Sequence, residues 1–382
     1  MSRYRWTILG LGAAAQGSYS ALFLGLPVLA PALRAEHGLG LTEIGVVLAA
    51  GHLGSVATLL PWGLAADRIG ERIVLAAGLL AASGALAAAA FAPSYGPLVA
   101  ALALAGAAGA SVNAASGRAV MGWFGPEERG FALALRQTSN PVGGLLAAVL
   151  LPPIAAAGGL RAGLLALAGA CAVTAVAGAV GLREAPHGPD VGPHVVHPLR
   201  DSRIWRVSAG SGLLVVAQMS LLSFTVLFLH AERGLSTAAA AGVLAGIQAG
   251  GAALRIAAGR WSDRLGARIA PLLRLSVAFA AALALTGALT AAPLALLVPA
   301  LLVAGSLSQS WNGLSFTATA EIAGRARSGA ALGFQQTSLA VAASVAPPAF
   351  AATVETSSWG LAFALAALLP LAGAGLVRRI PI

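Results

Sequence analysis

Hydrophobic residues make up 58% of the 382 residues and charged residues only 9%, with a net charge of +10. A soluble domain of this size needs far more charge to cover its surface, so the composition excludes a soluble globular protein. It predicts an all-α integral membrane protein in contact with the lipid bilayer. All 23 basic residues are Arg, which excludes ATP hydrolysis by a Walker-type phosphate-binding loop because that loop needs a Lys.

Twelve apolar segments follow one another between clusters of charge, Gly and Pro, each about the ~20 residues that cross ~30 Å of hydrocarbon. The first six predicted helices are 6–31, 42–66, 73–93, 97–123, 130–155 and 159–183. The second six are 204–230, 237–261, 268–291, 294–320, 328–353 and 357–379. Residues 184–203, rich in Pro, Gly, His and charge, predict a cytoplasmic linker between six-helix bundles at 1–183 and 204–382. We expect no cleavable signal peptide, since MSRYRW leads straight into a full-length span.

The arginines predict the orientation of these helices. With both termini in the cytoplasm, sixteen arginines fall on the cytoplasmic side and three, Arg34, Arg161 and Arg233, on the opposite side. Cytoplasmic loops of membrane proteins carry an excess of basic residues, so this is the predicted topology. Because the arginines are scattered over short loops, we expect no nucleic-acid partner.

The two halves repeat each other. Asp67 aligns with Asp263 at an offset of 196 residues, and the same offset aligns Gly70 with Gly266 and Arg72 with Arg268. At an offset of 199 residues, RQTS (136–139) aligns with QQTS (335–338), and Asn113 and Ser116 align with Asn312 and Ser315. Repeats of this kind are typical of transporters. They predict two pseudo-symmetric six-helix bundles, each with a charged turn between its second and third helices.

The charged turns resemble the loop signature of the major facilitator superfamily. The residues that match are Gly63, Asp67, Arg68, Gly70 and Arg72 in the first half, and Gly259, Asp263, Arg264, Gly266 and Arg268 in the second. The resemblance spans the whole chain and implies alternating access, in which two halves rock around a central site. It implies no cofactor and no enzymatic activity.

The resemblance also implies a cytoplasmic gate. Asp67 is expected to accept from the helix that begins near Gly329, and Asp263 from the helix that begins near Gly130, because exposed amides at a helix N-terminus attract carboxylates. The full set expected to act in gating is Asp67, Arg68, Arg72, Arg118, Asp263, Arg264 and Arg268. The alternative is that these turns are solvated loops that only fix the topology.

The stretch 123–144 is similar to members of the superfamily that carry organic anions. The sequence also lacks two features of drug/proton antiporters, which disfavours multidrug efflux. Those proteins carry an Arg near the start of the fourth helix, which 101–110 lacks, and a Gly-Pro-x-x-Gly-Gly string where this chain has NPVGG (140–144).

Arginines within predicted helices indicate the charge of the substrate. Every acidic residue lies in or near a predicted loop or helix end, whereas Arg255 lies about 12 Å and Arg136 about 9 Å inside their helices. An unpaired Arg at membrane depth costs at least ~2.5 kcal/mol and calls for an anion. We expect Arg255 to supply the positive charge for the substrate and Arg136 to help orient it. Each could instead act at the gate, Arg255 through a salt bridge or a carbonyl contact.

Neutral polar residues complete the predicted substrate site. Gln309 and Asn312 share one helix face at a spacing of three residues. The other predicted contacts are Gln16, Tyr19, Asn113, Gln137, Gln218 and Gln336. Polar side chains also join helices to each other in a bundle, and that alternative stays open for each of them. His52 could carry a coupling proton, since histidine titrates near neutral pH, or could be a neutral hydrogen-bonding group between helices.

These features predict a secondary transporter for a small organic anion, in particular a carboxylate. We expect it to be a monomer in the cytoplasmic (inner) membrane, with a co-transported proton or a counter-anion. The alternative is a drug/proton antiporter that exports amphipathic compounds, which the apolar, Gly- and Ala-rich interior would suit.

Overall fold

The structure of the protein is a computed structural model that describes residues 4–125, 128–183, 201–324 and 328–380. Within these ranges all of the regular secondary structure is helical. Seven helices precede the predicted linker: α1 (Tyr4–His37), α2 (Leu41–Ile69), α3 (Glu71–Ala90), α4 (Tyr95–Gly109), α5 (Ser111–Trp123), α6 (Arg129–Gln137) and α7 (Ser139–Gly181). Seven follow it: α8 (Ser202–Ala231), α9 (Thr237–Leu265), α10 (Ile269–Ala288), α11 (Leu294–Ser310), α12 (Asn312–Ala323), α13 (Ser328–Thr356) and α14 (Trp359–Val377).

Four predicted helices differ from the observed ones. The helix expected at 97–123 breaks between α4 and α5, and the one expected at 294–320 breaks between α11 and α12. The helix expected at 130–155 breaks between α6 and α7, and its remainder is joined to the helix expected at 159–183 in α7, which bends at Gly158 and Gly159. Gly159 has φ 71° and ψ −170°, a conformation that glycine adopts readily because it has no Cβ.

Eleven helical segments in the described ranges are long and apolar enough to cross a membrane. Two of them join a pair of numbered helices, α4 with α5 and α11 with α12. The span that contains α7 covers 47 residues, Leu135–Gly181. A helix of that length would measure ~70 Å, more than twice the hydrocarbon thickness of ~30 Å. The bend at Gly158 and Gly159 divides it into two arms.

The helices form two compact units. Unit 1 comprises the described parts of Met1–Gly40, Val46–Asp190 and Leu235–Gly242, and unit 2 those of Leu41–Gly45, Val191–Gly234 and Val243–Ile382. Most of the predicted linker, residues 184–200, lies outside the described residues. The predicted boundaries at 183 and 204 therefore stay predictions.

Small residues bring the helices of each unit close together. In unit 1, a Cβ on Gly25 of α1 would lie 2.9 Å from Leu151 and 3.1 Å from Ala147 of α7. In unit 2, a Cβ on Gly210 of α8 would lie 3.0 Å from the carbonyl oxygen of Gly373 in α14. Lipid tails are as apolar as the side chains, so membrane helices depend on such close contacts for their association.

Each of the two charged turns contains a glycine with positive φ. Gly70, between α2 and α3, has φ 85°, and Gly266, between α9 and α10, has φ 57°. A residue with a Cβ pays a steric penalty at such positive φ, which explains a glycine at both aligned positions.

Candidate functional site

Arg136 lies at the C-terminal end of α6 and is buried in unit 1, with 7% of its surface exposed. Its Nη1 donates to Gln16 Oε1 at 2.6 Å and to Ser116 Oγ at 2.9 Å. These two partners lie on α1 and α5, so the guanidinium joins three helices. Both partners are neutral.

The hydrogen bonds extend along α1 to the start of α7. Gln16 Nε2 donates to Asn140 Oδ1 at 2.9 Å, and Ser20 Oγ donates to the same oxygen at 2.5 Å. Asn140 Nδ2 in turn donates to Gln137 Oε1 at 3.1 Å. We call Arg136, Gln16, Ser116, Ser20, Asn140 and Gln137 the Arg136 network. The sequence predicted Arg136, Gln16 and Gln137 as substrate contacts, and the fold brings them together.

One edge of the Arg136 guanidinium has no partner among the described residues. Its Nε is buried and makes no hydrogen bond with any described residue, and Nη2 makes none either. Gly117 lies beside Nη2, where a Cβ would sit 3.7 Å from that nitrogen. Ion pairs between described residues do not include Arg136. Within the part of the chain that the structure describes, the Nε–Nη2 edge is therefore a donor pair without an acceptor.

Unit 2 contains the neutral counterpart of this arrangement. Gln335 Nε2 donates to Ser315 Oγ at 2.6 Å and to Ser211 Oγ at 3.4 Å, and the two hydroxyls are 2.5 Å apart. Gln335 and Ser315 are the residues that the repeat aligns with Arg136 and Ser116. The hydrogen-bonding pattern therefore repeats, but the positive charge does not.

Arg255 in unit 2 contacts the break between α11 and α12. Its Nε donates to the carbonyl oxygen of Gln309 at 3.3 Å, and Asn312 Nδ2 donates to the same oxygen at 3.3 Å. The amide of Gln309 extends the cluster, since its Nε2 donates to Gln248 Oε1 at 2.7 Å. The predicted residues Arg255, Gln309 and Asn312 are thus in one place.

Five other predicted residues lie outside these two networks. Tyr19 packs edge-on against Phe23, with ring centroids 4.8 Å apart. Gln218 is buried, and its Oε1 has no hydrogen-bond partner among the described residues. Asn113 and Gln336 are half-buried. His52 of α2, the proposed proton carrier, stacks on Phe23 at 4.2 Å.

Four of the seven predicted gating residues lie in two ionic clusters, one in each unit. In unit 1, Arg118 pairs with Asp67, and its Nε lies 3.3 Å from Glu71 Oε1. In unit 2, Arg268 pairs with Asp263 at 2.5 Å and with Glu321 at 3.0 Å. Burial disfavours the charged form of Arg268, but its hydrogen bonds to the two carboxylates outweigh that effect and raise the pKa of the guanidinium above its usual value.

The other predicted gating arginines behave differently. Arg72 Nε donates to the carbonyl oxygen of Ala179 at 2.5 Å and so ties α3 to α7. Arg68 and Arg264 are exposed at the ends of α2 and α9. The expected contacts of Asp67 near Gly329 and of Asp263 near Gly130 stay predictions.

Residues 11–347 match the Major Facilitator Superfamily. A relative of 35% identity is the uncharacterized MFS-type transporter Rv2994 of Mycobacterium tuberculosis strain H37Rv, over 98% of this chain and 84% of that protein. The chain belongs to the major facilitator superfamily. It is thus an integral membrane transporter that binds a small-molecule substrate within the membrane, and members of this superfamily are in general carriers without enzymatic activity.

Solved structures of superfamily members share this fold. The nucleoside transporter NupG superposes with a TM-score of 0.77 at 14% identity, over 97% of this chain and 98% of that one. A bacterial homolog of the human lysosomal transporter Spinster, in an inward-facing and unoccupied conformation, superposes with a TM-score of 0.71 at 14% identity. That alignment covers 99% of this chain and 95% of the other.

The sequence analysis did not predict several residues of the Arg136 network and of the cluster around Arg255. Ser116 and Ser20 hold the Arg136 network together, and Gln248 pairs with Gln309. The repeat register offered a signal for Ser116, because the same offset that aligns it with Ser315 also aligns Arg136 with Gln335. No comparable signal exists for Ser20, whose role depends on how α1 packs against α7.

Proposed function

We propose that this major facilitator superfamily member transports a small organic anion, most simply a carboxylate, and that Arg136 binds its negative charge. The observation that supports the proposal is Arg136 Nε, which is buried in unit 1 without an acceptor among the described residues and lies on the same guanidinium edge as Nη2, which also makes no hydrogen bond to them. A buried donor without a partner costs about 1–3 kcal/mol, and more when the group is charged. A bound anion would remove that cost.

The free edge has the shape that a carboxylate requires. Carboxylates bind guanidinium groups through two parallel N–H···O bonds, in which two donors face two oxygens. Nη1 is already occupied by Gln16 and Ser116, so Nε and Nη2 form the remaining donor pair. Gly117 leaves space beside Nη2. These features favour side-on binding of one carboxylate.

In unit 2 we propose that Arg255 and the amides around it contact the substrate. Gln309 and Asn312 meet Arg255 at the break between α11 and α12. Gln218 has an unsatisfied buried amide oxygen, which suits a hydroxyl or N–H group of a substrate. Tyr19, Asn113 and Gln336 stay predicted contacts, because they are polar residues on helices predicted to line the substrate site.

We propose further that the two arms of α7 cross the membrane separately, which gives twelve spans with both termini in the cytoplasm. The proposed location is the cytoplasmic (inner) membrane and the proposed state a monomer. Transport would proceed by alternating access, coupled to a proton or to a counter-anion. His52 is the proposed proton carrier in the first case.

Transport by purified protein in proteoliposomes tests the proposal. Wild type is expected to take up radiolabelled carboxylates and not cationic amphipaths, and Arg136→Gln is expected to lose most of that uptake. Arg274→Gln is the matched control, because Arg274 is an exposed arginine on α10 that lies over the Trp261 ring at 5.7 Å. Uptake of cationic amphipaths that survives Arg136→Gln would instead favour the drug/proton antiporter.

A further inference from the structure

Three rings of unit 1 pack together next to the Arg136 network. Tyr19 meets Phe23 edge-on at 4.8 Å, and Phe23 lies flat on His52 at 4.2 Å with an interplanar angle of 21°. Tyr19 and Phe23 are on α1, and His52 is on α2. We call these three residues the ring cluster.

Two glycines make room for the ring cluster. A Cβ on Gly109 would lie 2.6 Å from the Tyr19 ring, and a Cβ on Gly51 would lie 2.9 Å from the Phe23 ring. Contacts this short are not tolerated in packed proteins. The rings therefore occupy spaces that only glycine leaves open, so the packing of α1, α2 and α4 fixes where they lie.

The ring cluster and the Arg136 network lie on the same face of α1. Gln16, Ser20 and Phe23 are spaced by four and three residues, which aligns them along one side of a helix. Gln16 accepts from Arg136 Nη1. Seven residues of helix rise by ~10 Å, so the Gln16 and Phe23 positions on α1 are separated by roughly the length of a small molecule.

Core packing does not account for the exposure of the ring cluster. Unit 2 has an aromatic cluster of its own, in which Phe224, Phe228 and Phe363 are fully buried. By contrast, Phe23 and His52 are only half-buried. Ionisable side chains at membrane depth face protein or water rather than lipid. The uncovered side of the Phe23–His52 stack is therefore placed to receive a ligand.

We infer that the substrate is an aromatic carboxylate, whose carboxylate binds Arg136 and whose ring packs against the Phe23–His52 stack. This inference rests on the proposed function, since it takes the Arg136 charge as the anion site. Aromatic ligands gain from such stacking beyond their buried area, whereas saturated rings of the same size do not.

Binding to the purified full-length protein in nanodiscs tests the inference with matched ligands. ω-Phenylalkanoates from phenylacetate to 8-phenyloctanoate are compared with ω-cyclohexylalkanoates of equal chain length. The phenyl compound is expected to bind about threefold to tenfold more tightly at the best length. Since cyclohexane is the more hydrophobic ring, simple partitioning predicts the opposite order. Affinity is expected to peak at an intermediate chain length, because the two sites are a fixed distance apart.

Variants assign the preference to the ring cluster. Phe23→Leu is expected to abolish the phenyl preference while cyclohexyl compounds keep their affinity. His52→Gln, which introduces the residue that the repeat carries at Gln248, is expected to reduce the preference. Phe91→Leu is the control, since Phe91 is an exposed ring next to Arg161 and far along the sequence from the cluster. It is expected to leave the preference unchanged.

The binding results that would contradict the aromatic inference differ from those that would contradict the proposed function. Equal binding of phenyl and cyclohexyl compounds, lost in Arg136→Gln, would overturn the inference and leave the proposed function standing. A phenyl preference that persists in Phe23→Leu would also overturn it. Binding of neutral ω-phenylalkanols in place of the acids, unaffected by Arg136→Gln, would overturn the proposed function itself and the carboxylate part of this inference with it.

Discussion

Arg136 and Gln335 make the same contact in the two halves of the sequence. Arg136 Nη1 donates to Ser116 Oγ at 2.9 Å, and Gln335 Nε2 donates to Ser315 Oγ at 2.6 Å, with twenty residues between donor and acceptor in each case. Gln335 is fully buried and uncharged. A neutral side chain thus meets the structural requirement of this position, and the charge of Arg136 is left to serve another role.

This comparison predicts that Arg136→Gln separates stability from transport. The new amide can donate to both Ser116 and Gln16, as Gln335 Nε2 donates to both Ser315 and Ser211, so the free energy of unfolding should stay within ~1 kcal/mol of wild type. Carboxylate affinity should fall by about tenfold to a hundredfold, because a charged hydrogen bond contributes about 1.5–3 kcal/mol. Thermal unfolding in detergent and ligand binding measure the two effects.

Arg136→Leu is the control for that experiment. It leaves Gln16 Oε1 without its donor and should destabilise the protein by about 1–3 kcal/mol. If Arg136→Gln unfolds as readily as Arg136→Leu, the charge of Arg136 is itself structural and the argument from Gln335 is wrong.

Gly117→Ala is predicted to stabilise the protein and impair transport. Ala in place of Gly within a helix gains about 0.5–1 kcal/mol, and the new methyl would meet only Arg136, at 3.7 Å from Nη2. The methyl would, however, occupy the space beside the proposed anion-binding edge. We expect a higher unfolding temperature and at least a severalfold weaker carboxylate affinity. Gly84→Ala in α3, which has no neighbour within 4 Å, should show the stabilisation alone.

The Asp67–Arg118 pair is predicted to matter more for transport than for stability. The two side chains are 54% and 26% exposed, and exposed ion pairs contribute about 0–1 kcal/mol. Asp67→Asn should therefore change unfolding little, while it slows uptake severalfold if Asp67 acts in gating. Asp67→Glu retains the charge and should transport at nearly the wild-type rate. Undiminished uptake by Asp67→Asn would favour a loop that only fixes topology.

We predict that Gly→Ala substitutions at Gly70 and at Gly63 have opposite effects on stability. Gly70→Ala places a Cβ at φ 85°, which costs about 1–2 kcal/mol. Gly63→Ala lies within α2 with no neighbour within 4 Å, and should be neutral or stabilising. Chemical or thermal unfolding of both variants checks this. Equal effects would mean that the turn can relax to negative φ.

Gln248 and Gln309 form a buried amide pair suited to a double-mutant cycle. Gln309→Leu removes the donor to Gln248 Oε1 and should cost about 1–3 kcal/mol, because it leaves a buried polar group unpaired. The double variant Gln248→Leu with Gln309→Leu should recover much of that loss. An additive loss in the double variant would show that the two amides do not stabilise each other.

The sequence predicted much of this protein because the bilayer imposes strong and local constraints. Helix positions follow from runs of apolar residues, and the paired turns at Gly70 and Gly266 follow from a register of 196 residues. The breaks between α4 and α5 and between α11 and α12 were not predicted. Gly109 ends α4, but with 48 glycines in the chain a single Gly does not distinguish a break, and the breaks depend on how neighbouring helices pack.

The sequence by itself determined the family, the helical class and the presence of arginines inside apolar segments, because hydropathy and repeats are properties of the chain alone. Only the tertiary structure decided that Arg136 has neutral partners on α1 and α5, and that its Nε–Nη2 edge has none among the described residues. It also decided that Phe23 stacks on His52. Hydrogen bonds and ring contacts join residues far apart in the chain, and they depend on which helix faces meet.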